Sequence, residues 1–250
     1  PRLLGLAQAS KIYRGNELLK NNTKFSDLGN EVAFGTIGDA STSEGLFWES
    51  MNAAGVLQVP MVMSVWDDGY GISVPKKYQT VRGSISEALK GFKREKNGTG
   101  FEIFKVKGWD YFNLIQTYEE AVSQSRAEHV PVLVHVEELT QPQGHSTSGS
   151  HERYKDANRL EWEKEFDCIN QFKKWILDLN INGQAIATVE QLEQMANDAK
   201  KEAREAQKAA WAAFVQGLKE DLNLALAHLN ALSDESAHKT ELVKVHNELK

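Results

Sequence analysis

The sequence predicts an α/β protein, a doubly wound parallel sheet followed by a helical C-terminal region. Short apolar and β-branched runs alternate with stretches of helical periodicity over the first three fifths of the 250 residues. Two of those runs stop at a glycine with an aspartate beside it. After the loop from Thr140 to Tyr154, strand signals vanish and Ala-, Lys- and Glu-rich sequence takes over. The expected division is a ligand-binding sheet domain over residues 1–157 and a helical extension over residues 158–250.

The elements follow in order. Pro1 to Lys11 reads as a small-residue helix already inside the fold. Glu31 to Ile37 is a buried strand that ends at Gly38, which puts Asp39 at the strand's carboxyl end. After the polar turn Ala40 to Ser43, the residues Leu46, Phe47, Met51, Ala54 and Val56 recur at roughly helical spacing. Ser43 and Glu44 suit the start of that helix, expected from Glu44 to Val56. Pro60 opens a second strand, Met61 to Trp66, which halts at Asp67, Asp68 and Gly69. A strand-helix-strand unit with a right-handed crossover brings Asp39 and Asp68 to one edge of the sheet.

A helix from Ser84 to Lys96, a strand from Glu102 to Lys107, a helix from Asp110 to Glu128 and a strand from Pro131 to Glu138 complete the alternation. Trp162 to Leu179 is expected to be helical, with a break at Asn180 to Gly183. Thr188 and Gln191 have capping-box spacing for a further helix that runs to about Leu232. Its charges form a solvated face, while Leu192, Met195, Ala199, Ala206, Trp211 and Phe214 offer apolar contacts to the sheet domain or to a partner.

The edge that holds Asp39 and Asp68 has a definite chemistry. Open parallel sheets bind ligands beyond the carboxyl ends of their strands, and a helix amino end there offers N–H groups and a favourable dipole to phosphate. Magnesium takes about six oxygen ligands, which two carboxylates, a backbone carbonyl, phosphate oxygens and water can supply. Softer metals lack a His or Cys cluster to hold them. Taken singly, acidic residues at strand ends are as often turn formers and helix caps.

The motifs are more specific than the pattern. Gly38-Asp39-Ala40-Ser41-Thr42-Ser43-Glu44-Gly45, then Glu49 and Asn52, then Asp67-Asp68-Gly69-Tyr70-Gly71-Ile72-Ser73-Val74-Pro75 resemble the thiamine diphosphate motif of alpha-type decarboxylating components of 2-oxo acid dehydrogenase complexes. Val106-Lys107-Gly108-Trp109-Asp110 is similar to a turn of that family, and Gly144-His145-Ser146-Thr147-Ser148 to its Gly-His-Ser loop. The resemblance implies a thiamine diphosphate-binding fold with magnesium held by Asp39, Asp68 and the Tyr70 carbonyl. It implies a cofactor pocket lined by Gly38, Asp39, Ala40, Ser41, Asp68, Tyr70, Ile72 and His145, with His145 the best candidate for a catalytic role. Glu44 and Asn52 are expected to brace the helix against the metal loop. Ser146 and Ser148 fall near serines that are phosphorylated in some relatives, although a polar, flexible loop accounts for them as well.

In such a family the reaction is decarboxylation of a 2-oxo acid and reductive acylation of a lipoyl group. The implied partners are a beta-type transketolase-like half, which supplies the activating glutamate, and a lipoyl-bearing acyltransferase, in a dimer or tetramer of halves. A transketolase-like enzyme, or a scaffold domain that keeps the fold without the cofactor, are the alternatives. The chain opens on Pro1 and its last residues are still amphipathic, so the expectation is a fragment of a longer protein that lacks the family's upstream segment. The resemblance further implies a cytoplasmic protein, or one of the mitochondrial matrix in a eukaryote.

Composition agrees with an enzyme part. The hydrophobic fraction is 41%, the charged fraction 26%, and a net charge of -6 argues against general affinity for nucleic acid. Cys168 is the single cysteine, so no intrachain disulfide framework exists.

Four residues depart from the family pattern. Ala40 replaces a glycine, Trp66 stands where some relatives have an arginine, and Asp67-Asp68 replace an asparagine pair. The two carboxylates are expected to add negative charge beside the metal and to deepen the dependence on divalent cation. An Asp68→Asn variant should then bind thiamine diphosphate with a visibly altered magnesium dependence in a titration, and an unchanged dependence would refute the charge argument.

Overall fold

The computed structural model describes residues 1–249 other than Lys20, Asn97 and Ser148. The chain divides into two compact units, Pro1–Asp178 and Leu179–Lys250. In the first, four parallel strands form one sheet: β1 (Ala33–Gly38), β2 (Met61–Trp66), β3 (Glu102–Lys107) and β4 (Val132–Glu137), in the order β1-β2-β4-β3. Gly38 pairs with Trp66 and Trp66 with Val136, so the carboxyl ends of the three adjacent strands lie level.

Alternation along the strands divides the core into two layers. Met61, Val65 and Leu133 point to one side, where they pack with Ala7 of helix α1 (Arg2–Gly15) and with Phe47, Met51 and Ala54 of helix α2 (Gly45–Leu57). Val62, Val132 and Val134 point to the other, against Ala121, Tyr118 and Val122 of helix α3 (Tyr111–Glu128). Helices on both faces make the sheet doubly wound, as the sequence pattern requires. The inner strands β2 and β4 are therefore apolar nearly throughout, because neither face meets water. A β-carbon on Gly35 would come within 2.8 Å of Leu3, so the glycine lets α1 lie close on β1.

The expected helix from Ser84 to Lys96 does not form. Only one turn, Ile85–Ala88, is α-helical, and Lys90–Phe92 is a 3-10 turn. Tertiary pairing overrides the helical propensity here. The Phe101 N–H donates to the Phe92 carbonyl at 3.1 Å, the Arg94 N–H donates to the Phe101 carbonyl at 3.0 Å, and the two phenyl rings stack. Ile85 and Leu89 are buried in the core beside them.

Two helices rather than one follow the Thr140 to Tyr154 loop: α4 (Ala157–Glu165) and α5 (Cys168–Asp178). Each has its own amino-terminal aspartate, with the Arg159 N–H on Asp156 at 2.8 Å and the Asn170 N–H on Asp167 at 2.9 Å. Both lie within the Pro1–Asp178 unit, so that unit runs past residue 157.

The second unit begins with a small hairpin. Asn180–Ile181 pairs with Gln184–Ala185 across Asn182 and Gly183, whose φ values of 53° and 80° are those a two-residue Asn-Gly turn demands. The long helix α6 (Val189–Glu235) opens with the expected capping box: the Gln191 N–H donates to the Thr188 hydroxyl, and the Thr188 N–H donates to the Gln191 side chain. Helix α7 (Lys239–Leu249) folds back on α6 and buries His246, while Ser233 is buried on α6. Met195, Trp211 and Phe214 stay exposed. Among the described residues no helix is long and apolar enough to cross a membrane.

Met51 is fully buried between α2 and the sheet. Met51→Ala should lower the unfolding free energy by about 2–5 kcal/mol, read as a shifted midpoint in denaturant.

Candidate functional site

Beyond the carboxyl ends of β1 and β2 lies an open cavity of about 870 Å³. Its first wall is the turn between β1 and α2, which supplies Gly38, Asp39, Ala40 and Ser41. Its second is the turn after β2, with Asp68, Tyr70 and Ile72. His145, from the loop after β4, closes a third side. Every residue that the sequence assigns to the pocket thus lines one cavity, together with Glu44 and Trp66. Asn52 does not: it is exposed on α2 and borders a separate depression with Gly91 and Gly100. It does not brace the turn after β2. Glu49 is likewise exposed. Ser148 lies outside the described residues.

The first wall is rigid. The Asp39 N–H donates to the Trp66 carbonyl at 3.0 Å and ties the turn to the end of β2. The Thr42 hydroxyl and N–H both return to the Asp39 carbonyl, at 2.5 and 3.0 Å. Asp39 itself is in the right-handed helical region, and Ala40 begins the 3-10 turn Ala40–Ser43. Ala40 is absent from the positive-φ residues, so the glycine of the family motif is not needed here for its backbone freedom.

The second wall is a tight hairpin in which Tyr70–Gly71 pairs with Val74–Pro75. Gly69 carries a φ of 86°, and Ile72, at the tip, a φ of 60°, an uncommon conformation for a β-branched residue. In the third wall, Gly144 has a φ of 68°, and a β-carbon there would fall 2.6 Å from His151 and 2.7 Å from the Tyr154 hydroxyl. The glycine before His145 is a steric requirement. The Thr147 hydroxyl lies 2.9 Å from His145 Nδ1.

Charge is distributed unevenly among the three aspartates. Asp39 is 6% exposed, and its Oδ2 is buried with no hydrogen-bond partner. Burial, with Asp67 and Asp68 close by, pushes its carboxyl up to about 7. Burial raises Asp68 as well, against the Tyr70 N–H on its Oδ1 at 3.0 Å and the nearby Lys155. Asp67 is different. Burial would raise it, but hydrogen bonds from His135 at 2.9 Å and Lys76 at 2.7 Å outweigh that and hold it below the usual carboxylate range. The expectation that both carboxylates of the Asp67-Asp68 pair add charge beside a metal is therefore corrected: Asp67 turns away from the cavity, toward Lys76 and His135.

Sequence reasoning missed Lys76 and His135 and a second group behind Tyr70. Arg159 of α4 donates to the Asp68 carbonyl at 2.7 Å and to Glu163 at 2.8 Å, and Lys155 donates to Glu163 at 2.8 Å. Both cations lie 5.5 Å from the centre of the Tyr70 ring. Of these residues only His135 left a signal, as the one ionisable side chain inside the apolar run Val132–Val136.

Among the described residues no set of three or more His, Cys, Asp or Glu side chains converges as a complete cage. What the site offers a hard cation is two carboxylates, one of them with an oxygen that has no hydrogen-bond partner, with carbonyl, phosphate and water ligands to be added.

The chain belongs to the dehydrogenase E1 component family, whose model matches residues 2–218. It is 31% identical over 144 residues to the 2-oxoisovalerate dehydrogenase subunit alpha 1, mitochondrial, of Arabidopsis thaliana, covering 57% of this chain and 29% of that one. It is 29% identical over 176 residues to the 3-methyl-2-oxobutanoate dehydrogenase subunit alpha of Mycobacterium tuberculosis, covering 70% and 44%. With the pyruvate dehydrogenase E1 component subunit alpha of Staphylococcus aureus the identity is 28% over 150 residues, covering 59% and 38%. The chain thus spans less than half the length of each of these relatives.

The raised Asp39 carboxyl has a sign that can be checked. Below its unfolded value it is protonated in both states and costs nothing; as pH rises from about 4 to about 7 the unfolded chain gives up a proton that the folded site keeps, so the metal-free fold loses stability across that window and the cost is complete above about 7. In a chelator, Asp39→Asn should melt above the parent at pH 8, with the gap closing as pH falls from about 7 to about 4.

Proposed function

We propose that this chain is the diphosphate- and magnesium-binding part of a thiamine diphosphate-dependent 2-oxo acid dehydrogenase. The observation that carries the reading is Asp39, whose buried Oδ2 has no hydrogen-bond partner and which lines a cavity shared with Asp68 at the ends of two parallel strands. A buried carboxylate oxygen without a donor is costly, and a magnesium ion would offset that cost. The residues present therefore fit the group that the family implies.

In this reading Asp39, Asp68 and the Tyr70 carbonyl hold the metal. Gly38, Ala40 and Ser41 line the diphosphate, and Ile72 supports the body of the cofactor. His145 reaches in from its loop, held through Nδ1 by Thr147. When bound, thiamine diphosphate supplies the electron sink for decarboxylation. The chain's own contribution is to bind, to orient and to neutralise. The activating glutamate and much of the substrate pocket belong to a beta-type half, fused or separate, and the acyl group passes to a lipoyl-bearing acyltransferase. The names of the relatives favour a branched-chain 2-oxo acid or pyruvate as substrate. The parent is cytoplasmic, or of the mitochondrial matrix if eukaryotic, and works as a dimer or tetramer of halves.

Calorimetry of the complete enzyme with thiamine diphosphate, with and without magnesium, tests this. Binding that requires the metal and disappears in Asp39→Asn is the expected result. No binding by the complete enzyme would favour a scaffold domain that has kept the fold alone, a reading motivated by Trp66 in the arginine position.

A further inference from the structure

Asp67 is 2% exposed, adjoins a metal-ligand candidate, and still does not line the cavity. Both of its carboxylate oxygens are engaged inward. Oδ1 accepts from the Gly69 N–H at 2.8 Å. Oδ2 accepts from Lys76 at 2.7 Å and lies 2.9 Å from His135 Nε2. The imidazole is fixed at its other nitrogen by Ser86, whose hydroxyl is 2.9 Å from Nδ1, and neither residue is more than 3% exposed. The backbone repeats the pattern: the Asp67 N–H donates to the Val136 carbonyl, the Leu139 N–H donates to the Asp67 carbonyl, and the Lys76 N–H donates to the Gly69 carbonyl. The start of the metal loop is thereby fastened to the ends of β4 and of the hairpin at once.

We propose that Asp67, Lys76 and His135 form a positioning triad, which fixes the Gly69-Tyr70 turn so that Asp68 and the Tyr70 carbonyl face Asp39 across the cavity. The inference rests on the magnesium reading of the site and adds residues that never touch the metal. It also explains how an aspartate stands where relatives have an amide. Lys76 balances the extra charge, and the loop gains a charge-assisted anchor that a neutral side chain could not make.

Lys76→Met separates this role from plain electrostatics, because the two predict opposite signs. Removing a cation near a metal site strengthens metal binding if only charge matters. If the triad positions the loop, binding weakens. Mn²⁺ serves as the probe, its affinity read by electron paramagnetic resonance on the complete enzyme with thiamine diphosphate, alongside the melting temperature.

Lys76→Met should weaken Mn²⁺ binding by about tenfold, the scale expected when an outer partner of a metal ligand is lost. Lys76→Arg should stay near the parent. Asp67→Asn combined with Lys76→Met, which restores the net charge but not the anchor, should stay about as weak as Lys76→Met, and full recovery of Mn²⁺ binding would overturn the positioning role. Unchanged or tighter Mn²⁺ binding in Lys76→Met, with or without a lower melting temperature, overturns the positioning role. Failure of the parent enzyme itself to bind Mn²⁺ overturns instead the magnesium reading on which it rests.

Discussion

Three carboxylates crowd the carboxyl edge of one sheet, and the arrangement around the cavity is a response to that charge. Parallel strands deliver Asp39 and the Asp67-Asp68 pair to the same level, because Gly38 and Trp66 are register partners. The fold answers one of the three from within. Asp67 receives Lys76 and His135, and its carboxyl is held down. Asp39 receives no side chain at all, and its carboxyl is held up. Neutralising one acid while leaving another bare directs whatever cation arrives to a single place.

The surrounding packing serves that contrast. Helix α4 reaches the Asp68 carbonyl through Arg159 and the Tyr70 ring through Arg159 and Lys155, and Glu163 keeps those two cations from crowding each other. The positive charge of Arg159 and Lys155 therefore lies behind the turn after β2, against an aromatic face, and among the described residues no Lys or Arg lines the cavity. A diphosphate in this cavity would meet backbone N–H groups, hydroxyls and His145, with the metal as its principal counter-charge.

Most of the scaffold was legible in the sequence, and the reason is periodicity. β2 begins and ends where its apolar run does, because a strand buried on both faces admits little else. The capping box at Thr188 was equally local and equally readable. The segment after Ser84 was not, since its fate is decided by Phe92 meeting Phe101 across a loop, a contact that no local pattern records. The same division holds at the site. Residues of the motifs came together at one cavity, while Lys76, His135 and Arg159 came from three separate places in the chain and were found only in three dimensions. Asn52 failed for a simpler reason: the exposed side of a helix is set by its neighbours, and spacing alone did not identify them.

Ala40 and Gly71 behave as one position with a shared volume. A β-carbon on Gly71 would sit 2.7 Å from the Ala40 methyl, with the Gln79 side chain closing the other side. The methyl group that this chain carries where its relatives have glycine is thus accommodated by emptiness on the opposite wall. The two walls of the cavity are consequently not free to vary apart: enlargement at either residue spends room that belongs to both. Substitution histories at the two sites should be read as a single steric ledger spanning the mouth of the pocket.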